Sequence, residues 1–265
     1  MIMSLQIALT HHQQVLQESR RGDNVYLAYQ HHYALGDQIQ ISTDQAPVFI
    51  WAQLDAALKP ALIYVSQKQW AYQIPFNTER EWPYPDGAFA GKNHYATVRV
   101  ATTEEISTYR NWAENSHDQR EDTGAYPHAS ANAETRDEPV FFARNAIDGM
   151  VANESHGNYP FQSWGIAGRA DAELDLALGH PVEVDKIVLV LRADYPHDSY
   201  WTSVTVAFSD GSQEVWQPKK TAEPQVFAVA PRVISGLRLI NLVKDADASN
   251  FPALTELQVF GKAVL

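Results

Sequence analysis

The chain has 265 residues, no cysteine and a net charge of −12 from 20 basic and 32 acidic side chains. The lack of cysteine excludes disulfides, thiolate metal sites and cysteine nucleophiles. Because no dense Lys/Arg cluster accompanies the acidic balance, nucleic acid and anionic membrane surfaces are not expected as partners. A hydrophobic content of 45% is that of a globular protein, and the length suits two domains of ordinary size.

The N-terminal 21 residues contain no basic start followed by a continuous apolar stretch, and no apolar run is long enough to cross a bilayer. We therefore expect a cytoplasmic protein. Leu5, Leu9 and Leu16, with Val15 beside them, fall on one face of a helix. This spacing predicts a short N-terminal helix that Gly22 ends.

Short runs of strand formers follow, separated by Gly, Pro and Asp. They occupy residues 25–29, 38–42, 48–54, 61–65, 70–74 and 96–100. Such spacing predicts a small antiparallel β-sandwich. Thr102 and Glu105 have the spacing of a capping box, which predicts a short helix. We place the domain boundary here, with one domain over 1–106 and the other over 107–265.

The second domain consists of predicted strands almost throughout. They occupy residues 172–176, 184–191, 203–208, 213–216, 226–229, 237–240 and 254–260. No long segment has helical periodicity. The pattern predicts an all-β chain of two antiparallel sandwiches, the second with Greek-key or jelly-roll connections.

Five segments of this half resemble, in order, those of a known superfamily. They lie at residues 111–113, 128–131, 143–149, 172–187 and 253–261. Over about residues 111–263 the chain resembles the galactose-binding-like superfamily, which includes discoidin or coagulation-factor C-type domains and related carbohydrate-binding modules. The resemblance implies a rigid jelly roll with a ligand site on the loops at one end.

The resemblance also implies one structural calcium ion. In relatives, the Asp-Gly loop and the closing-strand Glu supply oxygen ligands, and the matching positions here are Asp148 and Glu256, with the carbonyls of Ala146 and Ala253 nearby. Such oxygens suit Ca²⁺. Met150 departs from the family pattern because it offers no side-chain oxygen. The alternative is that Asp148 only orders its turn and Glu256 only caps a loop.

Two loops, 156–164 and 192–201, combine aromatic with hydrogen-bonding side chains. Sugars pack their C–H faces on aromatic rings and pair their hydroxyls with polar groups, so both loops fit a carbohydrate site. The alternative is that the aromatics, Trp164 above all, pack the end of the sandwich. The candidate ligand-binding residues are His156, Tyr159, Trp164, Arg192, Tyr195, His197, Asp198, Tyr200 and Trp201.

A non-catalytic carbohydrate-binding protein is the function this sequence favours. One alternative is a glycan-processing enzyme or enzyme subunit, because a glycosidase needs two facing carboxylates and Asp194, Asp198 and Glu154 lie in these loops. Another is a protein-interaction module with a partner protein. The Pro- and aromatic-rich loop 81–89 is expected to dock on the second domain rather than to form another binding platform.

Overall fold

The computed structural model describes residues 3–151, 157–193, 199–247 and 249–265. It confirms the all-β prediction, because antiparallel sheets dominate both halves of the chain. The elements of the N-terminal half are β1 (Leu5–His11), β2 (Gln14–Glu18), β3 (Asn24–Tyr29), β4 (Asp37–Thr43), β5 (Val48–Gln53), β6 (Ala61–Val65), β7 (Gln69–Gln73), α1 (Thr78–Glu81), β8 (His94–Val100) and α2 (Thr103–Ser107).

The predicted N-terminal helix is wrong, since β1 and β2 form a hairpin there. Leu5, Ile7 and Leu9 alternate along β1 and all three are fully buried. This period of two outweighed the helical spacing, which had relied on Leu16, an exposed residue. His12 and Gln13 both have positive φ angles, 46° and 69°, which matches the tight primed turns that join hairpin strands.

The N-terminal sandwich has a four-stranded sheet, in the order β2-β1-β4-β7, and a sheet in which β6, β5, β8 and β3 are neighbours. The inward-facing side chains of the two sheets share one hydrophobic core. Trp70 and Tyr72, which alternate along β7, are fully enclosed in it. The predicted capping box is confirmed, because the Thr102 hydroxyl accepts from the Glu105 N–H at the start of α2.

The C-terminal half begins with a polar segment and ends in long strands. Three short 3₁₀ turns, at Thr135–Asp137, Pro139–Phe141 and Ala143–Ile147, lie between the first three short strands of this half and the strands that follow. The strands of this half are β9 (Arg110–Asn111), β10 (Ala125–Tyr126), β11 (His128–Ala131), β12 (Trp164–Gly165), β13 (Leu174–Leu191), β14 (Trp201–Phe208), β15 (Gln213–Trp216), β16 (Gln225–Lys244) and β17 (Ala253–Ala263). All of them except β10 belong to one large sheet.

The large sheet has the order β12-β17-β13-β16-β14-β15, with β11 paired to β13 and β9 paired to β17. Buried residues alternate along β13 from Leu174 to Val184, as they do in a strand with one solvated face. The long strands bend around a second hydrophobic core that is separate from the first.

Residues 110–127 connect the two cores. Within this segment β9 pairs with β17 of the large sheet, whereas β10 pairs with β6 of the N-terminal sandwich. His117 accepts a hydrogen bond from the Leu54 N–H at 3.0 Å, and it is 1% exposed. The domain boundary between residues 106 and 107 stays a prediction. The segment that follows it, residues 110–127, packs on both halves of the chain. In the described ranges, no helix is long and apolar enough to cross a membrane.

Candidate functional site

The loop end of the C-terminal sandwich holds the predicted Asp-Gly turn. The last 3₁₀ turn, Ala143–Ile147, delivers Asp148, whose Oδ1 accepts from the Met150 N–H at 2.8 Å. Glu256 on β17 is fully buried, and its Oε2 accepts from the Gly149 N–H at 3.3 Å. Gln162 Nε2 donates to Asp148 Oδ2 at 3.3 Å. The structure therefore brings the Asp148 turn and Glu256 together at this end of the sandwich.

Both carboxyl groups are costly to ionise in this setting. Burial raises the pKa of Asp148 to about 7. Burial also raises the pKa of Glu256 well above its usual value, and the charges of Asp148 and Glu114 raise it further. Because like charges oppose one another in a poorly solvated site, a bound cation would relieve the repulsion.

The oxygen atoms around this pair fit a hard cation. Glu256 Oε1 is buried without a hydrogen-bond partner, and so are the Oε1 of Gln162, whose amide contacts Asp148, and the Oδ1 of Asn145 in the 3₁₀ turn that precedes Asp148. Two carboxylates with neutral side-chain and carbonyl oxygens form a ligand set that Ca²⁺ accepts. Over the described residues, no group of three or more His, Asp or Glu side chains is placed to hold a metal, so neutral oxygens would supply the remaining ligands. The carbonyl of Ala146 belongs to the same turn, whereas that of Ala253 already accepts from the Arg192 N–H at 2.9 Å.

Trp164 and Trp201 lie in the core, with 0% and 1% of their surface exposed. Their rings contact each other at 6.0 Å between centroids, and Trp164 Nε1 donates to the Ala133 carbonyl. The prediction that Trp201 offers a ring face to a sugar is corrected, since neither face of an enclosed indole is open. The burial of Trp164 agrees with the alternative role, in which it packs the end of the sandwich. Tyr200 is half-buried and packs against the same core.

A small pocket opens at this end of the sandwich, with a volume of about 90 Å³. Arg192, a predicted ligand residue, lines it and is 4% exposed. Its guanidinium lies 5.8 Å from the ring centroid of Phe141 and 5.9 Å from that of Phe161. Phe251, which follows both predicted loops in the sequence, also lines the pocket and is 48% exposed. We call this the loop-end pocket; its lining residues are Thr135, Arg136, Phe141, Gly165, Arg192, Phe251 and Ala253.

Gly165 lets the walls of the loop-end pocket approach each other. A Cβ at this position would come within 2.5 Å of Thr135 Oγ1 and 3.3 Å of Phe141 Cβ. Any side chain would therefore push these two residues apart.

The Arg192–Phe161 contact shows that the two predicted loops meet, since Phe161 belongs to the first and Arg192 to the second. Tyr159 in the first loop is 43% exposed, and its hydroxyl lies 3.4 Å from the Met150 sulfur. Four further predicted ligand residues lie outside the described residues: His156, Tyr195, His197 and Asp198.

Sequence reasoning missed Phe251 and Phe141. Phe251 follows the polar residues Ser249 and Asn250, just before the closing strand, so an isolated aromatic in a polar loop was the available signal. Phe141 stands beside Phe142 ahead of the Asp-Gly motif, where it looks like core.

The loop 81–89 docks on the C-terminal half, as predicted. Tyr84 is 6% exposed, and its hydroxyl accepts from Arg144 Nη1 at 3.0 Å. The guanidinium of Arg144 also lies 4.9 Å from the Tyr84 ring centroid. Phe89 fills the N-terminal core from the same loop. The loop therefore joins the two cores through the buried rings of Tyr84 and Phe89, whereas Trp82 is 37% exposed.

The solved structures to which the chain is similar include carbohydrate-binding modules and a lectin domain. The chain is similar to chitosan-binding module 1 of a chitosanase/glucanase from Paenibacillus sp. IK-5, with 18% identity over 57% of this chain and 98% of that one, at a TM-score of 0.41. It is similar to the family 32 carbohydrate-binding module of NanJ from C. perfringens in complex with galactose, with 18% identity over 50% of this chain and 91% of that one, at a TM-score of 0.38.

A third similar structure is the lectin binding domain of Lectinolysin, a His mutant complexed with Lewis b, with 16% identity over 60% of this chain and 99% of that one, at a TM-score of 0.44. No family model and no curated protein matches the chain. The three structures are two carbohydrate-binding modules and a lectin domain.

Proposed function

We propose that the protein is a non-catalytic carbohydrate-binding protein whose site is the loop-end pocket. The observation that supports this is an exposed aromatic ring, Phe251, lining the same pocket as a buried arginine, Arg192. An aromatic ring packs on the apolar C–H face of a sugar, and a guanidinium donates several hydrogen bonds to hydroxyl oxygens. The volume of about 90 Å³ suits the edge of one sugar ring rather than a long chain.

The ring stacked under Arg192 contributes in a second way. Phe141 is 8% exposed, so it provides a fixed apolar floor, and its ring centroid lies 5.8 Å from the guanidinium. A cation held over an aromatic ring is stabilised by the cation–π contact, so Phe141 helps to fix the position of the guanidinium in the pocket wall. The pocket is thus arranged before a ligand arrives, which lowers the entropic cost of binding.

The test is a titration of the protein with a panel of neutral mono- and oligosaccharides, followed by calorimetry. Phe251→Ala removes the exposed ring, and we expect it to weaken binding by roughly tenfold, the loss for one stacking side chain. Tyr26→Ala is the matched control, because Tyr26 is 63% exposed on the N-terminal sandwich. Equal affinity in Phe251→Ala and wild type would exclude this pocket. Incubation of the same sugars with the protein would reveal hydrolysis if the non-catalytic assignment were wrong.

We also propose that Asp148 and Glu256 hold one structural Ca²⁺. The ion would fix the Asp-Gly turn and, through Gln162, the segment that runs from Phe161 to Gly165 in the pocket wall. Calcium should raise the melting temperature of the wild type relative to a chelated sample, since it binds only the folded state. Asp148→Asn should abolish that shift, because it removes a charged ligand.

Asp210→Asn is the control for the calcium experiment, since Asp210 lies in an exposed hairpin turn. An equal calcium shift in Asp148→Asn and Asp210→Asn would show that the ion binds elsewhere. A wild type without any calcium shift would support the alternative, in which Asp148 only orders its turn.

A further inference from the structure

A second cavity lies where the two halves of the chain meet. It shares no lining residue with the loop-end pocket. Its volume is about 240 Å³. The N-terminal sandwich contributes Trp51 and Lys59, and the connecting segment contributes Arg110, Asn111, Trp112 and Glu114. We call this the junction cavity.

Arg110 is the one charged side chain of the junction cavity without a counter-ion among the described residues. Lys59, by contrast, forms an ion pair with Glu114. The guanidinium of Arg110 lies 4.9 Å from the ring centroid of Trp51 and 5.9 Å from that of Trp112. Its Nη1 is buried and has no hydrogen-bond partner. Burial lowers the pKa of Arg110, and the charges of Glu114 and Glu105 offset part of that effect.

The neighbouring Arg99 also contacts Trp51, but its guanidinium has hydrogen-bond partners. It too lies over Trp51, at 5.8 Å, but its two terminal nitrogens donate to Glu105 at 2.8 Å and 2.6 Å. That bidentate pair is the usual way to neutralise a guanidinium beside an indole. Arg110 contacts the indole rings of Trp51 and Trp112 but forms no such pair with a carboxylate of the described residues.

Two further donors of the junction cavity lack acceptors. The Asn111 Oδ1 accepts from the Ala113 N–H at 3.0 Å and from the Val259 N–H at 2.8 Å. These two bonds fix the orientation of the amide, so that the Nδ2 is the free end, and it is buried without a partner. The Trp51 Nε1 is also buried without a partner.

Three buried donors on residues that line one cavity need an acceptor, since a buried polar group without a hydrogen bond is costly. Their donor-only character excludes a cation as the occupant. A neutral hydroxyl would satisfy one donor and leave the charge of Arg110 unbalanced. An oxyanion supplies several acceptor oxygens and a negative charge at once.

We propose that the junction cavity binds a small oxyanionic group, recognised by Arg110 with help from Asn111 and Trp51. The forked guanidinium matches two oxygens of a carboxylate, sulfate or phosphate. The indoles of Trp51 and Trp112 exclude water and so strengthen the charge interaction. The volume admits a free inorganic oxyanion or the acidic end of a sugar such as a uronic acid. A ligand here contacts both halves of the chain.

The experiment titrates the full chain with sodium sulfate, sodium glucuronate and glucose at constant ionic strength. Binding is followed by calorimetry and by the indole N–H resonances in ¹H–¹⁵N correlation spectra. The resonance of Trp51 is identified by its absence in Trp51→Phe. We expect sulfate or glucuronate to shift that resonance and glucose to leave it unchanged. Sulfate binding identifies a free oxyanion as sufficient, whereas binding of glucuronate alone identifies a sugar-borne carboxylate.

Arg110→Met is the decisive variant, because Met keeps an apolar stem and contacts the two indoles favourably. We expect it to weaken oxyanion binding by roughly tenfold to a hundredfold. Arg169→Met is the matched control, since Arg169 is exposed and paired with Asp171, and it should bind like wild type. Wild-type protein that binds neither anion, or Arg110→Met that binds as tightly as wild type, would overturn the proposal. Should Arg110→Met fail to fold, an unchanged affinity in Trp51→Phe would overturn it instead. None of these results depends on neutral sugar binding at the loop-end pocket.

Discussion

His117 makes the stability of this protein depend on pH in a predictable direction. The imidazole is 1% exposed, and its Nε2 accepts from the Leu54 N–H, so the ring is neutral. The Nδ1 then carries the hydrogen and faces the Ser116 hydroxyl at 3.0 Å. A proton on Nε2 would break the bond to Leu54 and leave a charge in the interior. Burial accordingly lowers the pKa of His117 to about 3.

The unfolded chain has no such restriction, and its histidine takes up a proton near pH 6.5. The pKa of His117 is lower in the folded state than in the unfolded state. Its contribution to stability is therefore fully present above pH 6.5 and is lost as the pH drops toward 3. Each pH unit in that window costs about 1.4 kcal/mol, so between pH 6.5 and 4.5 this one side chain removes about 3 kcal/mol. That is a large share of the 5–15 kcal/mol typical of a folded protein.

The assay is urea unfolding at pH 7.0 and pH 4.5, followed by tryptophan fluorescence. His117→Gln keeps an acceptor for the Leu54 N–H but cannot gain a proton, so its loss of stability between the two pH values should be smaller than that of wild type by about 3 kcal/mol. His32→Gln, at an exposed histidine, should lose as much as wild type. If His117→Gln and wild type lose the same amount, the reasoning about the buried neutral imidazole is refuted.

Three further substitutions have expected costs that follow from local geometry. Trp201→Ala empties a fully enclosed site and should lower the free energy of unfolding by about 3–5 kcal/mol in urea denaturation; a smaller loss would mean that the indole is not a core residue. Thr102→Ala removes the hydroxyl that caps α2 and should cost about 1 kcal/mol by the same measurement, whereas Thr102→Ser should cost less. Gly179→Ala places a Cβ 2.5 Å from the Tyr126 ring at a φ of 76°, so its melting temperature should fall clearly below that of wild type; an unchanged melting temperature would contradict that contact.

The strands of the C-terminal half were predictable because each carries its own pattern. In β13, apolar residues alternate over most of a long strand, and a long pattern leaves little room for another assignment. The N-terminal hairpin was not predictable in this way. Leu5 and Leu9 are four residues apart, so they fit a helix as well as a strand, and the choice depends on Ile7 and on a turn that forces positive φ at His12.

The candidate site was predictable where a motif joins residues and not where only composition does. Asp148 and Glu256 were paired through the family resemblance, and the structure brings them together. The aromatic loops gave a weaker indication, because an enclosed ring such as Trp201 and an exposed ring such as Phe251 have the same preference for apolar contact. Which of the two faces solvent is decided by packing between distant strands.

The pairing of β10 with β6 matters for anyone who cuts this chain into pieces. A fragment ending at residue 106 would lose β10, and the freed edge of β6 would present unpaired N–H and C=O groups to other molecules. Its complement would carry β10 as a short apolar strand without a sheet. Such a fragment would tend to recruit the missing strand from a neighbouring copy, which is how domain-swapped dimers arise. A cut placed after residue 127 would in turn remove β9 from β17 of the large sheet, so the two halves behave as pieces of one folding unit.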